Sequence, residues 1–156
     1  MNCKERLVKY LREHSVSFET YTHPEAYTAQ EVAAAQHVSG HRMAKVVMVW
    51  ASKQMAMLVL PASGRVDMRA TATLLGVNRV RLATEADFSE RFPDCRVGAM
   101  PPFGNLYDLP VHVDQALTEQ PEILFRVGTY TETMKIGYED FQRLVQPLVG
   151  DFTFER

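Results

Sequence analysis

The sequence predicts an α/β (α+β) domain in which helices surround a mixed sheet, and three observations support this. Two long apolar runs, Ala44–Ala51 and Met55–Leu60, flank a short polar segment, which is typical of a β-hairpin. Both runs are almost continuously apolar, so both faces of this hairpin are expected to be covered. Along the rest of the chain, helix-capping signals alternate with shorter apolar runs, an order typical of helices interspersed with strands.

The helices are predicted from apolar spacing and from capping residues. Thr28 and Glu31 form a capping box, and Asp67 can cap a helix that Gly76 closes. The predicted helices are Lys4–His14, one from Thr28 to about Ser39–Gly40, Asp67–Leu75, a short one capped by Thr84, and Tyr138–Val149, with Phe141, Leu144, Val145 and Leu148 on its inner face.

Five further strands are predicted from short apolar runs between turn residues. They are Val16–Tyr21, Arg79–Leu82, Val111–Val113, Ile123–Val127 and Thr133–Ile136. The segment from Gly98 to Gly104 contains two adjacent prolines between glycines, and prolines cannot donate the hydrogen bonds of regular structure. We therefore expect an irregular loop there.

Composition limits the class of protein. The chain has 156 residues, 46% of them hydrophobic, which suits a single domain over residues 1–156 with its own core. The net charge of −2 argues against a broadly basic nucleic-acid coat and leaves room for a local basic patch. Signal-peptide and membrane-span patterns are missing from the sequence, so a cytoplasmic protein is expected. In that compartment Cys3 and Cys95 should be free thiols.

Two features could carry chemistry. Lys45 begins an apolar strand, where its cation could hold a phosphate or stabilise an oxyanion; the alternative is a solvated strand end, the commoner position of lysine. The loop Gly98–Gly104 is stiffened by its prolines, and its amides could donate to an ester carbonyl; the alternative is a purely structural crossover.

Other catalytic classes lack their signatures. The sequence contains no Gly-x-Ser-x-Gly elbow, P-loop or dinucleotide-binding glycine pattern. His37 and His41 have the spacing of one helix face, but Gly40 separates them and a third ligand is not apparent. We therefore expect neither a metal nor another cofactor. His23, before Pro24, either lines a pocket or only decorates a turn.

Together these segments resemble the YbaK/prolyl-tRNA-synthetase-associated domain family. The resemblance extends from about Leu11 to Leu148, and its most specific parts are the Ala-Lys pair before an apolar strand and the Gly-x-x-Pro-Pro-Phe-Gly loop. The matching segments, in chain order, are Thr28–Ala33, Met43–Val47, Gly98–Gly104, Val113–Asp114 and Gly128–Thr129.

The resemblance implies a barrel-like mixed sheet and hydrolysis of the ester that joins an amino acid to tRNA. By this resemblance Lys45 is the catalytic residue that orients the tRNA end. The resemblance implies no metal and no protein nucleophile, and it implies that a substrate group, such as the neighbouring ribose hydroxyl or a cysteinyl thiol, assists the cleavage. The implied substrate-binding residues, with His23 added, are Tyr21, His23, Gly98, Ala99, Met100, Pro101, Pro102, Phe103, Gly104, Gly128 and Thr129.

The hypothesis is therefore a freestanding deacylase that acts in trans on mischarged aminoacyl-tRNA, with or without a synthetase partner. The substrate expected is tRNA-Pro carrying a small amino acid such as Ala or Cys. A binding module without turnover and a general esterase are the alternatives. Arg42, Arg65 and Arg69 are expected to contact tRNA, in a basic rim at the Lys45 end of the sheet that would also include Arg79 and Arg81.

Overall fold

The computed structural model describes residues 1–36 and 38–154, and this part of the chain forms six α-helices and ten β-strands. The helices are α1 (Cys3–Glu13), α2 (Ala29–Ala35), α3 (Met68–Leu75), α4 (Glu85–Ser89), α5 (Gln115–Thr118) and α6 (Tyr138–Val145). The strands are β1 (Glu19–Thr22), β2 (Ala44–Ala51), β3 (Gln54–Pro61), β4 (Arg65–Val66), β5 (Val80–Leu82), β6 (Val111–Asp114), β7 (Glu122–Arg126), β8 (Glu132–Gly137), β9 (Leu148–Gly150) and β10 (Thr153–Phe154).

The predicted hairpin forms the centre of a five-stranded sheet with the order β5-β2-β3-β6-β9. Strands β2 and β3 pair antiparallel, with Lys45 opposite Leu60 and Ala51 opposite Gln54. Strand β5 is antiparallel to β2, whereas β6 is parallel to β3 and β9 is parallel to β6. The sheet is therefore mixed, as predicted.

A second sheet, β1-β8-β7, is antiparallel throughout and meets the first sheet at the start of β2. The contact is a parallel bridge between Met43 and Leu124, in which the Leu124 amide donates to the Arg42 carbonyl at 3.1 Å. Strands β4 and β10 form a separate two-stranded ribbon. The arrangement is barrel-like with helices around it, and the strand pairs in the described residues leave it open.

The hydrophobic core lies on both sides of the hairpin, which confirms the prediction from its apolar runs. On one face Met48, Met57 and Val59 join the main cluster, which also holds Phe103 of the irregular loop. On the other face Val49, Leu58 and Leu60 pack with Phe152, Val47 and Leu75. A third cluster packs α2 against Met43 and Leu124.

Helix boundaries follow their caps where the caps are local. The side chain of Asp67 accepts from the Ala70 amide and begins α3, and Gly76, with a φ of 69°, ends it. Thr84 and Asp87 form a reciprocal capping box on α4. In these two helices the sequence signals were sufficient, because the groups involved are three or four residues apart.

The predicted end of the last helix was wrong. Helix α6 stops at Val145, because Pro147 cannot continue a helix and Gln146 before it adopts a φ of 50°. Leu148–Gly150 instead forms β9, and the Leu148 side chain is 63% exposed rather than on an inner face. Helix α2 is also shorter than predicted, since it ends at Ala35.

The expectation of two free thiols was also wrong, because Cys3 and Cys95 form a disulfide. The start of α1 lies against the turn at Asp94, whose carbonyl accepts from the Cys3 amide at 3.0 Å. The bond links residues 92 positions apart in the chain. None of the helices in residues 1–36 and 38–154 combines the length and the apolar character needed to cross a bilayer.

Candidate active site

Lys45 is the second residue of β2 and lies on the face that carries Val47 and Leu60. Its side chain is half-buried, and this burial lowers the pKa of its ammonium group from the ordinary value. Within residues 1–36 and 38–154 the ammonium has neither a hydrogen bond nor an ion pair. A partly desolvated cation without a counter-ion is suited to bind an anionic group of a ligand.

Arg126, the last residue of β7, is a cation at the junction of the two sheets that the sequence analysis missed. The isolated parallel bridge from Met43 to Leu124 joins the two sheets, and Lys45 and Arg126 each follow that bridge by two residues on their own strands. Met43 and Leu124 also share one hydrophobic cluster. Only this bridge relates the two cations, because they are 81 positions apart in the chain.

The surroundings of Arg126 restrain its guanidinium group. Burial lowers the pKa of Arg126, and the hydroxyl of Tyr130 and the carboxylate of Glu31 partly offset this effect. One guanidinium nitrogen donates to the Tyr27 carbonyl in the turn before α2. Arg126 is therefore held at the boundary between β7 and the segment that leads into α2.

The loop Gly98–Gly104 is irregular up to Phe103, as predicted, Gly104 begins a short 3₁₀-helix (Gly104–Tyr107), and the loop is accessible only at its first residue. Gly98 is exposed, with a φ of 78° and open space where a Cβ would be. It occupies a turn in which the Ala99 amide donates to the Arg96 carbonyl at 3.0 Å. The other members are buried, and Phe103 packs against Phe125 and Phe141 with ring centroids 5.7 Å away in each case.

Gly128 lies against this loop through two hydrogen bonds. Its amide donates to the Ala99 carbonyl at 2.7 Å, and its carbonyl accepts from the Arg96 amide at 3.0 Å. A Cβ at Gly128 would lie 2.6 Å from Cys3 Cβ, so the disulfide is directly behind this contact. Thr129 uses its hydroxyl within the turn, where it accepts from the Thr131 amide at 3.4 Å.

His23 and Tyr21 lie at the other side of the Gly128 turn. His23 is only 5% exposed; its Nδ1 lies 2.7 Å from the Pro24 carbonyl and therefore carries the proton. Nε2 is then an acceptor, and it has no partner in residues 1–36 and 38–154. Tyr21 pairs with Thr133 in the sheet and lines a cleft of about 330 Å³ together with Arg42 and Lys135.

The basic rim forms only in part. Arg42, which pairs with Glu122 at 3.4 Å, immediately precedes the Lys45 end of the hairpin. Arg65 follows the end of β3, and Arg69 is exposed on α3. Arg81 lies opposite Trp50 in the sheet. Trp50 is five residues from Lys45 along β2, or about 16 Å at the usual rise of a strand. Arg79 and Arg81 therefore lie away from Lys45.

Of the two histidines considered as metal ligands, His37 lies outside the described residues. His41 is exposed, and its Nδ1 is 3.3 Å from the Ser63 hydroxyl.

Comparison with solved structures shows the fold. A candidate trans-editing enzyme for prolyl-tRNA synthetase superposes with a TM-score of 0.83 and 22% identity, covering 97% of each chain. The hypothetical protein APE2540 superposes with a TM-score of 0.85 and 19% identity, covering 95% of this chain and 99% of that chain. A candidate signal-transduction protein from Marinobacter aquaeolei VT8 superposes with a TM-score of 0.74 and 14% identity. That match covers 95% of this chain and 30% of that chain.

The sequence itself identifies the family. Residues 23–144 match the family described as the aminoacyl-tRNA editing domain, a range that includes every segment of the candidate site except Tyr21. This match, together with the shared fold, supports the family resemblance found in the sequence. The chain belongs to the aminoacyl-tRNA editing domain family.

Proposed function

We propose that this protein is a deacylase that acts in trans and hydrolyses the ester of a mischarged tRNA in the cytoplasm. The observation that carries the proposal is Lys45, a half-buried cation without a counter-ion in the described residues, on an editing-domain fold. The preferred substrate is tRNA-Pro carrying a small amino acid such as Ala or Cys. The candidate trans-editing enzyme for prolyl-tRNA synthetase among the structural neighbours supports this preference and a synthetase partner.

The chemistry requires positioning more than a protein nucleophile. Water attacks the ester carbonyl and a tetrahedral oxyanion forms; the ribose oxygen then leaves with the proton of the adjacent ribose hydroxyl, which in turn takes up the proton that the attacking water releases. Lys45 and Arg126 would hold the terminal phosphate and orient the ester. The Gly98 amide, which has no hydrogen-bond partner in residues 1–36 and 38–154, would donate to the oxyanion; such a donor stabilises it by about 3 kcal/mol.

His23 would contribute as an acceptor. Its Nε2 can receive a hydrogen bond from the ammonium group of the aminoacyl moiety or from a ribose hydroxyl, because Nδ1 already carries the proton. Gly128 would keep the Gly98 turn in position through its two backbone hydrogen bonds. Arg42, Arg65 and Arg69 would contact the acceptor phosphates at the same end of the hairpin.

The test is release of amino acid from tRNA-Pro charged with Ala, Cys, Ser or Thr. Lys45→Ala should lower kcat/KM at least tenfold, because a charge-assisted contact is worth about 1.5–3 kcal/mol. Lys53→Ala is the matched control, since Lys53 is an exposed lysine in the turn at the opposite end of the same hairpin. Its turnover should equal that of the wild type.

Three results would contradict the proposal. The first is wild-type turnover by a folded Lys45→Ala protein. The second is activity that chelation removes and a stoichiometric metal restores. The third is tight binding of charged tRNA without release of amino acid from any member of the panel, which would instead support a binding module of the same fold.

A further inference from the structure

A pair of tyrosines, one exposed and one half-buried, borders the Gly98 turn on the outside of the molecule. Tyr27 is 60% exposed, and its ring lies 5.0 Å from that of Tyr130, between centroids, with a tilt of 57°. Tyr27 precedes α2 and Tyr130 follows the Gly128 turn, so two distant segments bring these rings together. The proposed ester hydrolysis uses neither ring.

Polar contacts hold the pair in place. The Tyr130 hydroxyl donates to the Val97 carbonyl at 2.6 Å, one residue before Gly98. Arg126 donates to the Tyr27 carbonyl, which connects the pair to the end of β7 at the junction of the two sheets. A rigid exposed aromatic surface loses little conformational entropy when a flat ligand stacks on it.

The charges around the pair are divided between its two sides. The guanidinium of Arg96 lies 5.4 Å from the centroid of the Tyr130 ring, and the Arg96 side chain is exposed. The carboxylate of Glu25 interacts with the Tyr27 hydroxyl and repels phosphate on that side. A ligand that stacks here should therefore place an uncharged ring on Tyr27 and an anionic group near Arg96. A nucleotide has this combination.

We infer that Tyr27, Tyr130 and Arg96 form a stacking platform for an unpaired base near the 3′ end of an RNA. This inference rests on the proposed function, because it extends the site that would hold the aminoacyl ester. The base stacks on the exposed ring of Tyr27, which Tyr130 supports from the side, its phosphate contacts Arg96, and the chain then continues toward Arg126 and Lys45. Single-stranded RNA ends are commonly bound by aromatic stacking of this kind.

The test measures binding of two short single-stranded RNAs that end in CCA, one intact and one with an abasic 3′-terminal nucleotide. Wild-type protein should prefer the intact RNA about five- to 150-fold, the range for stacking of one base. Tyr27→Leu should remove this preference, and Tyr27→Phe should keep it. Circular dichroism of each variant checks that it is folded.

Arg96→Ala separates the phosphate contact from the stacking. It should weaken the binding of both RNAs. It should also reduce the slope of log affinity against log salt concentration by about 0.7, the value for one phosphate contact on a single strand. Arg81→Ala is the matched control, because Arg81 lies over the Trp50 ring at a similar distance, 5.5 Å, and away from Lys45. Its affinities should be those of the wild type.

Deacylation by the same proteins distinguishes a failure of the platform from a failure of the proposed function. Equal wild-type affinity for the two RNAs, undetectable wild-type binding, or an unchanged preference in Tyr27→Leu would overturn the platform even if the enzyme is active. A wild-type protein that shows the base preference but releases no amino acid would support the platform and contradict the deacylase. In an active enzyme, Tyr27→Leu should raise KM and leave kcat unchanged.

Discussion

The β2–β3 hairpin and the contact between Gly128 and the Gly98 turn are held together in different ways. The hairpin joins eight residue pairs in continuous register, all within 18 consecutive residues, and it carries Lys45 near one end. The contact consists of two hydrogen bonds from Gly128 to Arg96 and Ala99, about 30 residues away in the chain, with a disulfide from Cys3 behind it. The hairpin therefore forms from local pairing, whereas the contact depends on several separate segments.

The largest expected effect tests how the core anchors the Gly98–Gly104 loop. Phe103→Ala removes a fully buried ring that packs on Phe125 and Phe141, so the free energy of unfolding should fall by about 3–5 kcal/mol. Val97→Ala, just before the same loop and exposed, should change it by less than about 0.5 kcal/mol. Urea titration measures both. Similar losses in the two variants would show that the loop is not anchored through its buried end.

The next effect concerns the disulfide behind Gly128. Because it closes a loop of 92 residues, its removal should lower the free energy of unfolding by about 2–5 kcal/mol. Thermal melting with and without a thiol reductant measures this, and Cys3→Ser should melt like the reduced wild type and be insensitive to reductant. An identical melting temperature for oxidised and reduced wild type would mean that the bond adds nothing to stability.

Substitution of Lys45 should change the free energy of unfolding and the deacylation rate in opposite directions. Since burial lowers its pKa in the folded state, the charged form opposes folding at neutral pH, and this penalty disappears only as pH rises through the folded-state value toward 10.5. Lys45→Met should thus raise the free energy of unfolding at pH 7, by less than about 1 kcal/mol for a half-exposed group, while deacylation falls at least tenfold. Lys53→Met should change neither quantity.

This prediction is checked by chemical unfolding at pH 7 and again near pH 10.5. The stability gain of Lys45→Met should shrink at the higher pH. A variant less stable than wild type at pH 7 would show that the ammonium has a stabilising partner.

The smallest expected effect is the pH dependence due to His112 in β6. The side chain is 5% exposed, its Nδ1 lacks a partner in residues 1–36 and 38–154, and burial lowers its pKa below 6.5. The unfolded chain therefore binds a proton more readily, and stability should fall as pH drops below about 6.5. The accompanying fall in Tm at acidic pH should be absent in His112→Gln. Parallel pH profiles of the two proteins would contradict this.

Much of the fold could be predicted because its signals are local. The hairpin, the caps of α3 and α4, and the irregular Gly98–Gly104 loop depend on groups a few residues apart. The end of α6 also has a local cause, the Gln146–Pro147 pair, which the predicted helix boundary did not take into account. The roles proposed for Lys45 and for the Gly98–Gly104 loop also come from their sequence motif rather than from their surroundings, and they stay predictions.

The tertiary structure alone decided which distant residues meet at the site. The bridge from Met43 to Leu124 brings the strands that carry Lys45 and Arg126 to one junction, and the disulfide brings α1 behind Gly128. Packing also buries Phe103 and leaves Gly98 as the accessible part of the loop. Local sequence signals act over a few residues through capping and alternation, whereas these contacts depend on how whole sheets pack together. A single sequence thus determined the hairpin, the local helix caps and the principal motif, and only the packing of the two sheets determined which distant residues lie together.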